Sequence, residues 1–161
     1  MNDDIWKEKT IQVRRVAKVV AGGRRFNFSV LVVVGDENGS VGIGLGKARL
    51  IPDASKKAIE DGKKNVIDFP IINGTLPFEV VGEYGASKVL LKPAHPGTGV
   101  IAGSSVRAIL ELAGVKNILT KSFGSNNPQN LVKAVLNGLS KLQSPDYVAA
   151  KRGIKVNDLY E

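Results

Sequence analysis

The sequence predicts an α+β protein made of two successive units, the first of order β-β-β-α and the second of order β-β-α-β-α. Three observations support this prediction. Apolar and polar residues alternate up to Lys47, the apolar period becomes helical from Asp53 onward, and strand-like runs begin again after Pro70. The predicted limits are residues 1–5 for an N-terminal tail, 6–69 for a first domain and 70–161 for a second domain with a helical tail.

The first unit begins with three strands, which we predict over residues 10–20, 26–34 and 41–47. A Gly-Gly-Arg-Arg turn at 22–25 separates the first two strands. The pair Asn38-Gly39 marks the next hairpin, because both residues tolerate the backbone angles of a tight turn. Consecutive hairpins arrange the three strands as an antiparallel meander.

The third of these strands, V-G-I-G-L-G-K-A at 41–48, has glycines on alternate residues and ends beside a lysine. A P-loop needs a glycine five residues before Gly46 and a hydroxyl after the lysine, and the dinucleotide fingerprint needs its third glycine one residue later. On a strand the three glycines share one face, which is bare. We therefore predict that this face receives the small residues of the following helix, which are Ala54, Ala58 and Gly62.

The second strand, F-N-F-S-V-L-V-V-V, places Phe26 and Phe28 on the same face as three valines. Aromatic side chains on a strand beside arginines can stack on RNA bases. However, a continuous apolar strand face normally forms a core. We therefore predict that both rings pack inside the protein.

The second unit combines three strands with three helices. A first helix is predicted to begin at a cap formed by Ser104 and to end at Gly114. Pro128 fits the first position of the next helix, and Ser144 opens a short helical tail. The strands are predicted within residues 75–81, 87–92 and 115–123.

The charge of the chain favours polyanionic partners. Its 161 residues include 23 Lys+Arg and 15 Asp+Glu, which gives a formal charge of +8. Seven basic residues and one acid lie between Lys7 and Arg25, a one-signed cluster that can neutralise several phosphates. The lack of cysteine excludes disulfides and thiolate metal sites. The polar N-terminus and the absence of a long apolar run argue against secretion and against a membrane partner.

The glycine loop over residues 97–105 is the best candidate for binding a small anion, because it precedes a helix N-terminus. It is similar to the phosphate loop of the galactokinase and mevalonate kinase superfamily, which makes a small-molecule phosphotransferase one alternative. We nevertheless predict no enzyme and no cofactor. Such kinases need a longer chain, His95 has no metal or triad partner nearby in sequence, and Glu111 pairs more simply with Arg107.

Six stretches carry a distinctive combination of motifs. In order they are G-G-R-R-F-N-F (22–28), V-V-V-G-D-E-N-G-S-V-G-I-G-L-G-K-A-R (32–49), N-G-T-L (73–76), P-G-T-G-V-I-A-G (96–103), G-S-N-N-P (124–128) and V-A-A-K-R-G (148–153). Together they closely resemble the signature of the bacterial small-subunit ribosomal protein five family, over nearly the whole chain.

The resemblance implies a double-stranded-RNA-binding-like first domain and a second domain with a left-handed βαβ crossover, against the usual rule. It implies a structural, cytoplasmic constituent of the small ribosomal subunit that binds rRNA, stabilises the head relative to the body and influences translational accuracy. The implied partners are small-subunit rRNA, the fourth and eighth small-subunit proteins, and messenger RNA near its entry path. A regulatory RNA-binding protein outside the ribosome is a second alternative.

The predicted site residues combine the glycine–arginine turn implied by the resemblance with basic residues of both domains. The predicted rRNA-binding residues are Arg14, Arg15, Lys18, Gly22, Gly23, Arg24, Arg25, Lys47, Arg49, Lys56, Lys57, Lys88, Lys92 and Lys121. Contact with a protein partner is predicted at Gly103, Ser104 and Arg107. No metal ligand is predicted.

Overall fold

The computed structural model describes residues 5–160, which form two four-stranded sheets and four α-helices. The predicted α+β class is confirmed. Residues 1–4, which make up most of the predicted tail, lie outside the described residues. The first unit contains β1 (Lys7–Val20), β2 (Gly23–Gly35), β3 (Ser40–Ala48), α1 (Ile51–Lys64) and β4 (Ile67–Asp68).

Strands β1 and β2 form a hairpin that extends past the rest of the first sheet. β3 pairs with β2 only from Phe28 onward, whereas β1 pairs with β2 all the way to the turn. Val20 is already paired with Gly23, so the turn consists of the two residues between them. The predicted turn over 22–25 was therefore too long: Arg24 and Arg25 continue the ladder as part of β2.

The glycines of β3 lie against helix α1, as predicted. A Cβ atom placed on Gly44 would collide with the carbonyl oxygen of Ala58 and would come within 2.9 Å of the Cα of Gly62. Gly42 and Gly46 meet the backbone of the same helix in the same way. Only a strand face without side chains allows the helix to approach this closely.

Strand β2 is buried on both faces, although the sequence analysis assigned only one face to a core. Val30, Val32 and Val34 face α1, while Leu31 and Val33 face the second unit. The prediction for Phe26 was wrong, since this ring is 41% exposed. It lies on the part of the hairpin that α1 does not cover. Phe28 is partly buried against the α1 core.

The second unit is a sheet with helices packed against one face. Its strand order is β5-β6-β8-β7, and β7 runs parallel to β8. The hand of the β7–α2–β8 connection stays a prediction. The elements are β5 (Val80–Tyr84), β6 (Ser87–Pro93), β7 (Val100–Ile101), α2 (Ser104–Ala113), β8 (Ile118–Gly124), α3 (Pro128–Ser140), α4 (Pro145–Arg152) and a 3₁₀ turn (Val156–Tyr160).

The two shortest strands, β4 and β7, were not predicted from the sequence. Each has two residues, which is too short for a periodic pattern, and each is defined only by its pairing with β3 or β8. Gly82 was also predicted to lie between strands, whereas it lies inside β5. A Cβ atom on Gly82 would collide with the carbonyl oxygen of Ala134, so this glycine brings α3 onto the sheet.

Most predicted helix ends are confirmed. Gly114 ends α2 in the left-handed conformation with φ of 96°, and Pro128 opens α3. The hydroxyl of Ser144 accepts a hydrogen bond from the Tyr147 N–H at 3.1 Å and caps α4. Ser104 is not a cap, because it is already the first residue of α2 and Gly103 precedes it without a side-chain hydrogen bond.

The two units share one core and are joined by backbone hydrogen bonds. The Glu37 N–H donates to the Leu112 carbonyl at 2.8 Å, and the Gly39 N–H donates to the Ala113 carbonyl at 2.8 Å. A Cβ atom on Gly35 would collide with the same Leu112 carbonyl. The loop after β2 therefore fits closely against the C-terminal end of α2.

Candidate nucleic-acid interface

The hairpin of β1 and β2 presents basic side chains on both of its faces. Residues that are directly opposite in the ladder share a face. Arg14, Lys18 and Arg25 therefore lie on the face away from α1, whereas Arg15 and Arg24 lie on the α1 side. All five are exposed. The cluster is thus a two-sided basic arm rather than a ridge along one face.

The ladder places like charges close together on the face away from α1. Lys18 is directly opposite Arg25, a pairing that is unfavourable in a sheet unless an anion lies nearby. Ser29 of β2 lies between two cations in the ladder, because it is directly opposite Arg14 on β1 and Lys47 on β3. With a strand spacing of about 4.8 Å, the backbones of Arg14 and Lys47 are separated by roughly 10 Å. Within residues 5–160, none of these four cations forms an ion pair.

On the α1 side, Arg15 stacks on the exposed ring of Phe26. Its guanidinium carbon lies 3.8 Å from the centre of the ring. Such a cation–π contact contributes about 0.5–1 kcal/mol at exposed positions and orients the planar guanidinium. Phe26 was not among the predicted site residues. Its position directly after Arg24 and Arg25 was the available signal.

A second group of predicted residues lines a cleft of 570 Å³ where β3 leads into α1. The Lys57 ammonium donates a hydrogen bond to the Lys47 carbonyl at 3.3 Å, which holds the helix side of the cleft to the strand side. Two carboxylates that also line the cleft, those of Asp53 and Glu60, reduce its net positive charge. Asn27 also lines the cleft and was not predicted. The predicted cations that the structure brings together here are Lys47, Arg49, Lys56 and Lys57.

The other predicted lysines are not part of this surface. Lys88, Lys92 and Lys121 are exposed on the second sheet, on the face that points away from its helices. The structure therefore divides the predicted rRNA-binding residues between the hairpin, the cleft and this separate face.

The predicted partner-contact residues lie at the N-terminal end of α2. Gly103, Ser104 and Arg107 are exposed. Arg107 forms the expected ion pair with Glu111, with 2.7 Å between its Nε and the carboxylate oxygen. The Arg107 side chain remains 56% exposed in this pair.

The loop before α2 is poorly suited to hold a phosphate. The Gly97 and Gly99 N–H groups, which would have to point at an anion, both donate to the side-chain oxygen of Asn117, at 3.1 and 3.0 Å. A cavity of 530 Å³ opens beside residues 101–106, and none of its lining residues is an acid or a histidine. The loop therefore has fewer free N–H groups to offer an anion.

Residues 5–160 contain no group of three or more potential metal-ligating side chains. No α-helix in this range has the length and apolar character needed to cross a bilayer.

Comparison with known proteins identifies the family. Residues 6–70 match the family model "Ribosomal protein S5, N-terminal domain", and residues 82–152 match "Ribosomal protein S5, C-terminal domain". The chain is 56% identical over 155 residues to small ribosomal subunit protein uS5 of Thermotoga neapolitana, which covers 96% of this chain and 87% of that protein. The protein of the same name from Thermotoga maritima is 54% identical over 156 residues, with coverage of 97% and 88%. The chain therefore belongs to the ribosomal protein S5 family.

Proposed function

We propose that this protein is a structural, non-enzymatic constituent of the small ribosomal subunit in the cytoplasm, and that it binds rRNA. The observation that supports rRNA binding best is the basic arm, where Lys18 and Arg25 are directly opposite each other and have no ion-pair partner among residues 5–160. Phosphate groups on either side of the arm would remove this repulsion. The names of the close relatives point to the same subunit.

The contacts we propose are mainly with phosphates and with the shape of the RNA rather than with base edges. The exposed hairpin can enter a groove between RNA helices, because both of its faces carry cations. The cleft beside Lys47 would hold a second backbone segment. Anchored at two places, the protein would stabilise the head of the subunit relative to its body and so influence decoding accuracy.

The remaining partners follow from the resemblance and stay proposals. We propose contacts with the fourth and eighth small-subunit proteins, with the exposed start of α2 around Gly103, Ser104 and Arg107 as one contact region. We also propose that the protein lies near the entry path of messenger RNA. Sedimentation of a cell lysate tests the assembly: the chain should travel with the small subunit, and a chain found only at the top of the gradient would contradict the proposal.

Replacing Arg24 and Arg25 together by alanine is expected to weaken rRNA binding at least tenfold at physiological salt. The slope of log affinity against log salt should become shallower by about one for each lost phosphate contact. Filter binding of small-subunit rRNA over a range of salt concentrations measures both quantities.

The matched control is the double variant Lys151→Ala/Arg152→Ala, which removes two adjacent exposed cations from α4. Its salt slope should stay near that of the wild-type chain. Equal slopes in all three proteins would contradict the role of the hairpin, whatever the change in affinity.

A further inference from the structure

Among residues 5–160, no helix or strand covers one face of the second sheet. Val89 and Leu91 of β6 are fully buried under the helices, and the residues that alternate with them point the other way. We call this second surface the open face. Its residues form three cross-strand rows, which are Glu83–Lys88–Phe123, Val81–Leu90–Lys121 and Lys92–Leu119–Ile101.

The open face is unusually apolar for a sheet surface that meets water. Ile101, Leu119 and Phe123 are 51%, 40% and 50% exposed. An antiparallel sheet with one solvated face normally places polar residues on it. A contiguous group of exposed large apolar side chains instead indicates a surface that is buried against a partner.

The same face carries an unbalanced positive charge. Glu83 is its single carboxylate, and this group already pairs with Lys88 at 3.3 Å. Lys92 and Lys121 form no ion pair with any residue between 5 and 160. Charged and apolar side chains are interleaved across the open face, because each of the three lysines is directly opposite an apolar residue on the neighbouring strand.

We propose that the open face binds a protein partner whose surface presents carboxylates interleaved with apolar side chains. Carboxylates would pair with Lys92 and Lys121, and apolar side chains would cover Leu119, Ile101 and Phe123. Charge complementarity of this kind selects the partner and its register, while apolar burial supplies the affinity.

Three features favour a protein over RNA on this face. Its apolar residues are aliphatic except for Phe123, and bases stack on rings or on guanidinium planes rather than on aliphatic groups. Its cations are all lysines, whereas the hairpin carries four arginines. Nucleic-acid interfaces are also more polar than protein interfaces, so covering Leu119 and Ile101 with RNA would contribute little binding free energy.

A photo-crosslinking experiment tests the proposal. The full-length chain with Phe123→p-benzoylphenylalanine is expressed in cells, irradiated and analysed for crosslinked peptides and nucleotides. One protein should be captured, through a segment that contains both carboxylates and apolar residues. The same probe placed by Tyr147→p-benzoylphenylalanine, at another exposed aromatic position, should not capture that segment.

Charge reversal provides the second measurement. With the probe kept at position 123, Lys92→Glu combined with Lys121→Glu should lower the yield of that crosslink about tenfold or more. Lys116→Glu, an exposed lysine off the open face, should leave the yield within about twofold. Four outcomes would each overturn the proposal. They are capture of RNA, capture spread over many proteins, the absence of any crosslink, and a crosslink yield that does not fall when the charges are reversed. None of these outcomes depends on rRNA binding by the hairpin.

Discussion

Replacing Gly44 by alanine is expected to destabilise the folded chain by at least about 3 kcal/mol, and larger side chains should prevent folding. The added methyl group would overlap the Ala58 carbonyl and approach the Cα of Gly62 to 2.9 Å. Both obstacles are backbone atoms of α1, so no side-chain rotation can relieve them. The helix would have to move away from the sheet and would uncover Val30, Val32 and Val34.

Urea denaturation of the purified chain measures this effect as a change in the free energy of unfolding. Gly103→Ala is the matched control, because its backbone angles suit alanine and no atom lies within 4 Å of the added Cβ. It should change stability by less than about 1 kcal/mol. Equal stabilities of the two variants would show that the glycines of β3 are not required for helix packing.

Replacing Gly35 by alanine is expected to cost about 2–4 kcal/mol and to uncouple the two units. The new Cβ would collide with the Leu112 carbonyl, which accepts the Glu37 N–H at 2.8 Å. Separating these groups breaks a hydrogen bond between the units and opens the shared core beside Val33.

The uncoupling can be followed with two probes. The fluorescence of Trp6, the single tryptophan, reports on the first unit, and circular dichroism reports on the helices of both units. The two denaturation curves should coincide for the wild-type chain and separate for the variant. Gly22→Ala, where the added Cβ has no neighbour within 4 Å, should leave the curves coincident. A single shared transition in Gly35→Ala would contradict the proposed coupling.

Local patterns allowed most of the fold to be predicted. Alternation, the switch to helical spacing and the proline and glycine signals near Gly114, Pro128 and Ser144 depend on residues close together in the chain. The glycines of β3 were also interpretable, because three bare positions on one strand face imply a close neighbour. The next element along the chain is α1, whose small residues form a matching face.

The candidate site was predicted as a set of residue types rather than as surfaces. A sequence shows that Arg24, Arg25 and Lys88 are basic, but it does not show which of them share a face. Pairing in the sheet puts Arg24 and Arg25 on opposite sides of one hairpin and moves Lys88 to a different sheet. The ladder register, which arises between strands distant in sequence, decides this grouping.

The order of residue types along the chain was enough to predict most elements and to identify the family resemblance. Which faces are covered depends on the three-dimensional fold. It buries Leu31 and Val33 against the second unit, exposes Phe26 beyond the end of α1, and leaves Leu119 and Phe123 40% and 50% exposed. The periodicity of apolar residues reflects spacing along the chain. Burial depends instead on which elements, distant in sequence, pack against a face and exclude water from it. A strand with apolar residues on both faces has no local signal that tells its two neighbours apart.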